Sequence, residues 1–207
     1  PPSMSIPNAA FRPALLAALA LLASPATARA DVVELGALRD TTLYQSDTGS
    51  LGNGAGSHFF AGATASGAAR RGLIAFDIAS IVPAGAQIVD VELTLSMSRA
   101  TGPASEIGVH RVLADWGEGA SDASGEEGGG APSAPGDATW IHTFYDGALW
   151  SNPGGDFEAD PAAVALVGDL GFYTWSSSAM VSDVQAWLDD ASTAFGWALL
   201  GDEAGFG

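Results

Sequence analysis

Within Gln87 to Met97, apolar and polar residues alternate without a break from Val89 onward. Val89, Val91, Leu93, Leu95 and Met97 take one parity, while Asp90, Glu92, Thr94 and Ser96 take the other. A period of two places these sets on opposite faces of an extended chain, which predicts a strand with one face on a core and one in water. Such a strand needs a second layer to cover its apolar face. Leu73-Ile74-Ala75-Phe76-Asp77-Ile78 is a shorter apolar run, and Pro83-Ala84-Gly85 supplies the turn between the two. Further strand candidates are Val32 to Leu38, Thr42 to Gln45, His58 to Ala61, Ile107 to Leu113, Thr139 to Thr143, Phe172 to Trp175 and Phe195 to Leu200. Glycine accounts for 27 of 207 residues without a collagen-like period, so turns are frequent. Short strands separated by Gly, Ser and Asp clusters describe an all-β sandwich or barrel, not an α/β enzyme.

One helix competes with this pattern. Ser182-Asp183-Val184-Gln185 has the form of a capping box, and Val181, Val184, Trp187 and Leu188 share one helical face. The acidic pair Asp189-Asp190 is unfavourable at a helix C-terminus, so the helix is expected to be short. Gly117 to Asp137 is rich in Gly and Pro and holds no large apolar residue, which predicts a long mobile loop. There is no internal repeat.

Charge removes whole classes of partner. Seven basic residues, all arginine, face 24 acidic ones, a formal net charge of -17. Such a chain repels phosphate backbones and has no basic patch for anionic membranes, so no nucleic-acid partner is expected. Cysteine is absent, which excludes disulfides, thiol nucleophiles and thiolate metal sites. Residues 1 to 30 hold no acid. From Met4, the expected start, they run through Arg12 and the apolar stretch Ala14 to Ala23 to Ala28-Arg29-Ala30, the order of a secretory signal peptide. Ten apolar residues fall short of the roughly 20 needed to span a bilayer. Cleavage would leave residues 31 to 207 as one domain, with five arginines against the same 24 acids, a net charge of -19. Export without disulfides and the Arg-only, Ala/Gly-rich composition point to a secreted bacterial protein.

The signatures of common chemistries are missing: no Gly-x-Ser-x-Gly elbow, no His-Glu-x-x-His pair, no Walker-type loop. Gly52-Asn53-Gly54-Ala55-Gly56 precedes no helix and reads as a turn. His58, His110 and His142 are scattered, and read as solvent-facing or hydrogen-bonded residues before a metal set. Asp156-Phe157-Glu158-Ala159-Asp160 offers oxygens at alternate positions, but lacks the glycine and closing acid of an EF-hand; a structural calcium there is one reading and a solvated turn the other. Trp116, Trp140, Trp150 and Tyr145 fall at loop edges beside Asp115, Glu118, Asp146 and Asn152. Indole faces flanked by carboxylates and amides suit a sugar, whose C–H faces stack while its hydroxyls bond. The alternative is that these tryptophans plug the end of the sandwich.

Arg71-Gly72-Leu73-Ile74-Ala75-Phe76-Asp77-Ile78, then Ile81 and Pro83-Ala84-Gly85-Ala86-Gln87-Ile88, resembles the "R-x-L-L-x-F-D-L … I-P-x-G-A-x-I" core of DNRLRE-type domains. Val91-Glu92-Leu93-Thr94-Leu95 is similar to that family's "A-x-L-x-L" strand, Trp116 with Glu118 to its "W-x-E" step, and Thr139-Trp140 to its "T-W". Val181 to Leu188 and Phe195-Gly196-Trp197-Ala198-Leu199-Leu200 resemble its "V-x-x-W-L … N-x-G-W-x-L" ending, with Ala194 near where the family often has asparagine. The resemblance spans nearly all of residues 31 to 201. It implies a secreted bacterial β-jelly roll of carbohydrate-binding type, without catalysis, here stopping before the family's last strand. The expected function is therefore polysaccharide binding. The rivals are a structural or adhesive domain without a ligand site, and a lyase or hydrolase, which would need a convergent acid and base.

Overall fold

The computed structural model describes residues 30–100 and 102–204. The expected leader, apart from Ala30, lies outside the described residues. These hold ten strands, β1 (Arg39–Tyr44), β2 (Leu51–Gly52), β3 (Gly62–Ala63), β4 (Ala69–Ala75), β5 (Glu92–Met97), β6 (Ser105–Arg111), β7 (Ala131–Pro132), β8 (Ala163–Val167), β9 (Gly171–Ser176) and β10 (Trp197–Leu200). A single α-helix, α1 (Ser178–Asp189), and a 3-10 turn at Ala191–Thr193 lie between the last two strands. The fold is all-β and sandwich-like. No helix among the described residues is long and apolar enough to cross a membrane.

The main sheet runs β1-β4-β10-β6-β8, every pair antiparallel, with β3 added on β4. β5 and β9 form a separate antiparallel pair, and the short β2 pairs with β7. The parity of the main strands sorts their side chains into two layers. Ile74, Ile107, Val109, Trp197 and Leu199 face Leu93 and Trp175 of the β5/β9 pair and Met180, Val184, Trp187 and Leu188 of α1. The Trp187 and Trp197 rings meet with centroids 4.7 Å apart. Leu43, Leu73, Ala75 and Ala198 point to the opposite face, where irregular chain delivers Val112, Trp116, Ala138 and Trp150. Gly196 leads into β10 at φ +83°, and a Cβ there would lie 2.0 Å from the Ile74 carbonyl oxygen, so only glycine fits this approach.

β5 keeps the expected register: Leu93 is buried opposite Trp175, while Glu92 and Thr94 face water. The strand starts at Glu92, however, and Val89 is 66% exposed, not a core residue as its parity predicted. Upstream of Glu92 no ladder holds the chain to a period of two. Ile88 turns inward instead, its backbone N–H donated to Gln185 Oε1 of α1 at 2.9 Å.

The helix starts a turn before the expected Ser182. Its N-cap is Ser177, in extended conformation directly after β9, whose Oγ accepts the Met180 N–H at 3.0 Å. Ser182 is interior and bonds back to the Ser178 carbonyl. The expected end at Asp189 holds, and Asp190 accepts the Ser192 N–H to start the 3-10 turn. Val32 to Leu38 and His58 to Ala61 are strand candidates outside the ladders, apart from Leu38's edge at β1, and Thr139 to Thr143 reduces to one bridge between His142 and Leu149. β8, which no local signal marked, is an edge strand with Ala163 and Val167 buried and Val164 and Leu166 exposed.

The segment 117–137 is not the free loop its composition predicted. Asp137 is fully buried, and its carboxylate accepts the N–H groups of Ala120 and Ala134 at 3.0 and 2.6 Å. Asn53, also buried, accepts the Ala123 N–H and donates to Glu127 Oε2 at 3.0 Å. The Glu127 carboxylate further accepts the backbone N–H groups of Ser57 and His58. Burial alone would push Glu127 up, but these hydrogen bonds outweigh it and hold the group below the usual carboxylate range. Its backbone sits at φ +60°, a region costly for a residue with a Cβ and kept only where contacts over-determine it. Tyr44 closes the cluster, donating to the Glu127 carbonyl at 2.8 Å; burial raises its hydroxyl to about 12, so it stays a donor.

Two expectations test this packing. Leu93→Ala should cost about 2–5 kcal/mol in urea unfolding, whereas Glu92→Ala should stay within about 0.5 kcal/mol. Glu127→Gln should cost about 1.5–3 kcal/mol at neutral pH. A depressed carboxylate stabilises above its unfolded pKa and loses that contribution as pH falls through the folded value, so the gap to wild type should narrow below about pH 4.

Candidate functional site

Two of the four aromatics expected to form a sugar platform are not available for stacking. Trp116 is 0% exposed and Trp150 5%. Both belong to the core cluster on the loop-covered face, and each indole N–H is already donated to a carbonyl, Trp116 to Phe195 at 2.8 Å and Trp150 to Thr139 at 2.9 Å. On that face, large rings from the loops fill the core. Of the two readings, the sugar platform is corrected for this pair, which fills the core on that face as the plug reading has it.

Trp140 and Tyr145 are half-buried. Tyr145 packs edge-on against His142, ring centroids 5.1 Å apart. Of the polar partners, Asp115 is exposed and paired with Arg39 at 2.7 Å, while Glu118 accepts the Asp40 N–H at 2.9 Å. Burial, helped by the charge of Glu118, raises the Asp40 carboxyl. Asp146 is exposed, with no side-chain partner among the described contacts. The eight expected residues therefore do not converge on one surface.

One of them, Asn152, does line a depression of about 560 Å³ on the loop-covered face. Its wall combines Leu113, Pro153 and Phe157 with the polar groups of Arg71, Ser151 and Asp156. Arg71 comes from β4, where its parity is that of Leu73 and Ala75, hence towards the loops. Its guanidinium lies 4.7 Å from the Trp140 ring centroid and 5.2 Å from that of Phe157. The Asp156 carboxylate accepts Ser151 N at 2.7 Å and both Asn152 N and Nδ2 at 3.0 Å. These bonds outweigh burial and hold it below its usual range. Arg71 and Phe157 had no local signal as site residues; Arg71 entered only at the head of the segment that resembles the DNRLRE-type core.

A second hollow, about 330 Å³, is lined by Arg111, Glu158, Asp160, Ala179 and Asp183. Asp156 thus lies on the wall of one hollow and Glu158 and Asp160 on that of the other, so the three oxygens read as a calcium ladder do not converge. Among the described residues no group of three His, Asp or Glu side chains could hold a metal ion. His110 and His142 are buried and hydrogen-bonded, to the Glu158 carbonyl and the Thr139 hydroxyl, both at 2.9 Å. Asp183 accepts the Trp197 indole N–H at 2.9 Å and sits 3.6 Å from Arg111. Burial raises its pKa, with a further push from Glu158, against the lowering by Trp197 and Arg111. No family model matches the chain, and neither a curated protein nor a solved structure matches it.

A raised carboxylate destabilises the fold above its unfolded pKa and ceases to do so once protonated. Asp183→Asn keeps an acceptor for Trp197 without the charge. Its stability relative to wild type should be greatest at neutral pH and decline as pH falls towards 4, read from urea midpoints at several pH values.

Proposed function

We propose that this chain is an exported, non-catalytic module that binds a neutral polysaccharide at the depression beside Arg71 and Asn152. The observation that carries the reading is the composition of that wall: apolar surface from Leu113, Pro153 and Phe157 next to the donors and acceptors of Ser151, Asn152 and Arg71. A sugar ring presents both kinds of surface, and pockets that bind small rings combine an apolar wall with a few placed polar groups. The net charge of -17 favours a neutral glycan, since it slows encounter with a polyanion. The leader-like residues 4–30 support export, and the resemblance to DNRLRE-type domains supports the carbohydrate-binding class. A specific observation favours the second reading, a structural or adhesive domain: the two tryptophans best suited to a platform are core residues.

Retention on immobilised neutral and acidic polysaccharides decides between them. Wild type should bind at least one neutral glycan. Asn152→Ala should weaken that binding roughly fivefold, the worth of about one hydrogen bond, and Leu113→Ser, also exposed, should weaken it through the lost apolar contact. Trp150→Ala should instead lower stability by about 3–5 kcal/mol. No retention on any glycan favours the structural reading.

A further inference from the structure

The second hollow lies where the main sheet meets the first turn of α1, and its polar groups are only partly used. Arg111 ends β6 with the parity of Ile107 and Val109, so its side chain points to the helix layer. Asp183, 9% exposed, meets it from α1. Asp183 Oδ2 accepts the Trp197 indole N–H at 2.9 Å, but Oδ1 lies 3.6 Å from Arg111 Nη1, beyond hydrogen-bond range. Among the described residues, no side-chain hydrogen bond starts from the Arg111 guanidinium and none reaches Asp183 Oδ1. Both residues line the hollow, so a donor and a buried acceptor border one space without satisfying each other. The walls are pinned. Glu158 N–H donates to the Arg111 carbonyl at 2.9 Å, Ala162 N–H to the Val109 carbonyl at 2.7 Å, and the Ser177 hydroxyl to the Ala162 carbonyl at 2.6 Å.

A hydroxyl oxygen about 2.8 Å from each atom bridges this gap, accepting from Arg111 and donating to Asp183, because a hydroxyl gives and takes at one atom. An ammonium group only donates and would meet the Arg111 charge, while an anion would meet the carboxylates of Asp183, Glu158 and Asp160. We propose that this hollow is a second ligand site, separate from the depression beside Arg71, and that its Arg111–Asp183 pair binds one ring of a neutral sugar. Its volume of about 330 Å³ is at the small end of ligand pockets, room for a ring and not for a chain. Pro161, Ala162 and Ala179 supply apolar wall, and Glu158 and Asp160 offer further acceptors for ring hydroxyls. Because the walls are already fixed, little ordering is lost on binding.

The test titrates isotope-labelled protein with methyl glucoside, methyl galactoside, glucosamine and glucuronate, followed by amide NMR shifts. Ala162 and Ala179 report on the hollow, and Ser151 and Asn152 on the depression, so each site is read by itself. At least one neutral glycoside should shift Ala162 and Ala179 to saturation, and glucuronate should not. In Asp183→Asn the amide oxygen keeps the Trp197 N–H and an N–H group replaces Oδ1, so affinity at the hollow should fall about tenfold. Arg111→Met should lower it by a similar factor. Asp169→Asn, exposed and outside the hollow, changes net charge as Asp183→Asn does and should leave affinity at the wild-type value. No saturable shift at Ala162 and Ala179 with either neutral glycoside, glucosamine held there more tightly than both, or unchanged affinity in Asp183→Asn overturns the proposal. Shifts confined to Ser151 and Asn152 support the depression and overturn the hollow, and shifts confined to Ala162 and Ala179 do the reverse, so the two readings fail separately.

Discussion

A sheet with two apolar faces and regular structure for only one of them is the constraint from which most of this molecule follows. The β5/β9 pair and α1 cover the Ile74, Val109 and Trp197 face. The Leu43, Leu73 and Ala198 face is left to irregular chain, whose N–H groups lose water when it packs down. Buried side chains must then accept what a ladder would have accepted. Asp137 does so for Ala120 and Ala134 and Asp156 for Ser151 and Asn152, while on the other face, at the Tyr44 end of β1, Glu127 does the same for Ser57 and His58 and Asn53 for Ala123. Part of the acid excess therefore has an internal role, since an ionised carboxylate is a strong acceptor with room for several N–H groups.

The few cations serve both faces of the sheet. Arg39 lies 4.4 Å over Trp116, Arg70 4.7 Å over Tyr44 and Arg71 4.7 Å over Trp140. Each uses a flat, weakly hydrated guanidinium to cover an aromatic ring while its N–H groups reach loop carbonyls or carboxylates. Lysine, a compact and strongly hydrated charge, could do neither as well.

How far the sequence could be read depended on whether the determinant was local. Alternation at Leu93, the apolar run at Leu73 and the Trp197 segment all became strands because period and burial coincide there. The helix was legible by its face, and misplaced by a turn because Ser177 and Ser182 both look like caps; only the strand that ends at Ser176 selects between them. β8 escaped because its two faces are equally apolar, so no alternation marks it. Trp116 and Trp150 could be read as a sugar platform or as a plug of the sandwich end because their neighbours are polar; what decides for the plug is distant in sequence, the Phe195 and Thr139 carbonyls that accept their indole N–H groups. The depression was the least legible feature: Asn152 was found from its own surroundings, but Arg71 joins it only because the parity of β4 turns that side chain to the loop-covered face.

Strand order in the main sheet has a temporal side. β10, made of residues 197–200, lies between β4 and β6, which are finished by residues 75 and 111. Ile74 and Arg111 are both partners of Trp197, so the two halves of the main sheet have no shared ladder until the final strand is inserted between them. While the chain is still emerging in order, from a ribosome or through a membrane pore, β4 and β6 each present an unpaired inner edge. The two halves of the sheet join through contacts distant in sequence, the kind of pairing that slows folding, and that joining waits on the arrival of residue 197.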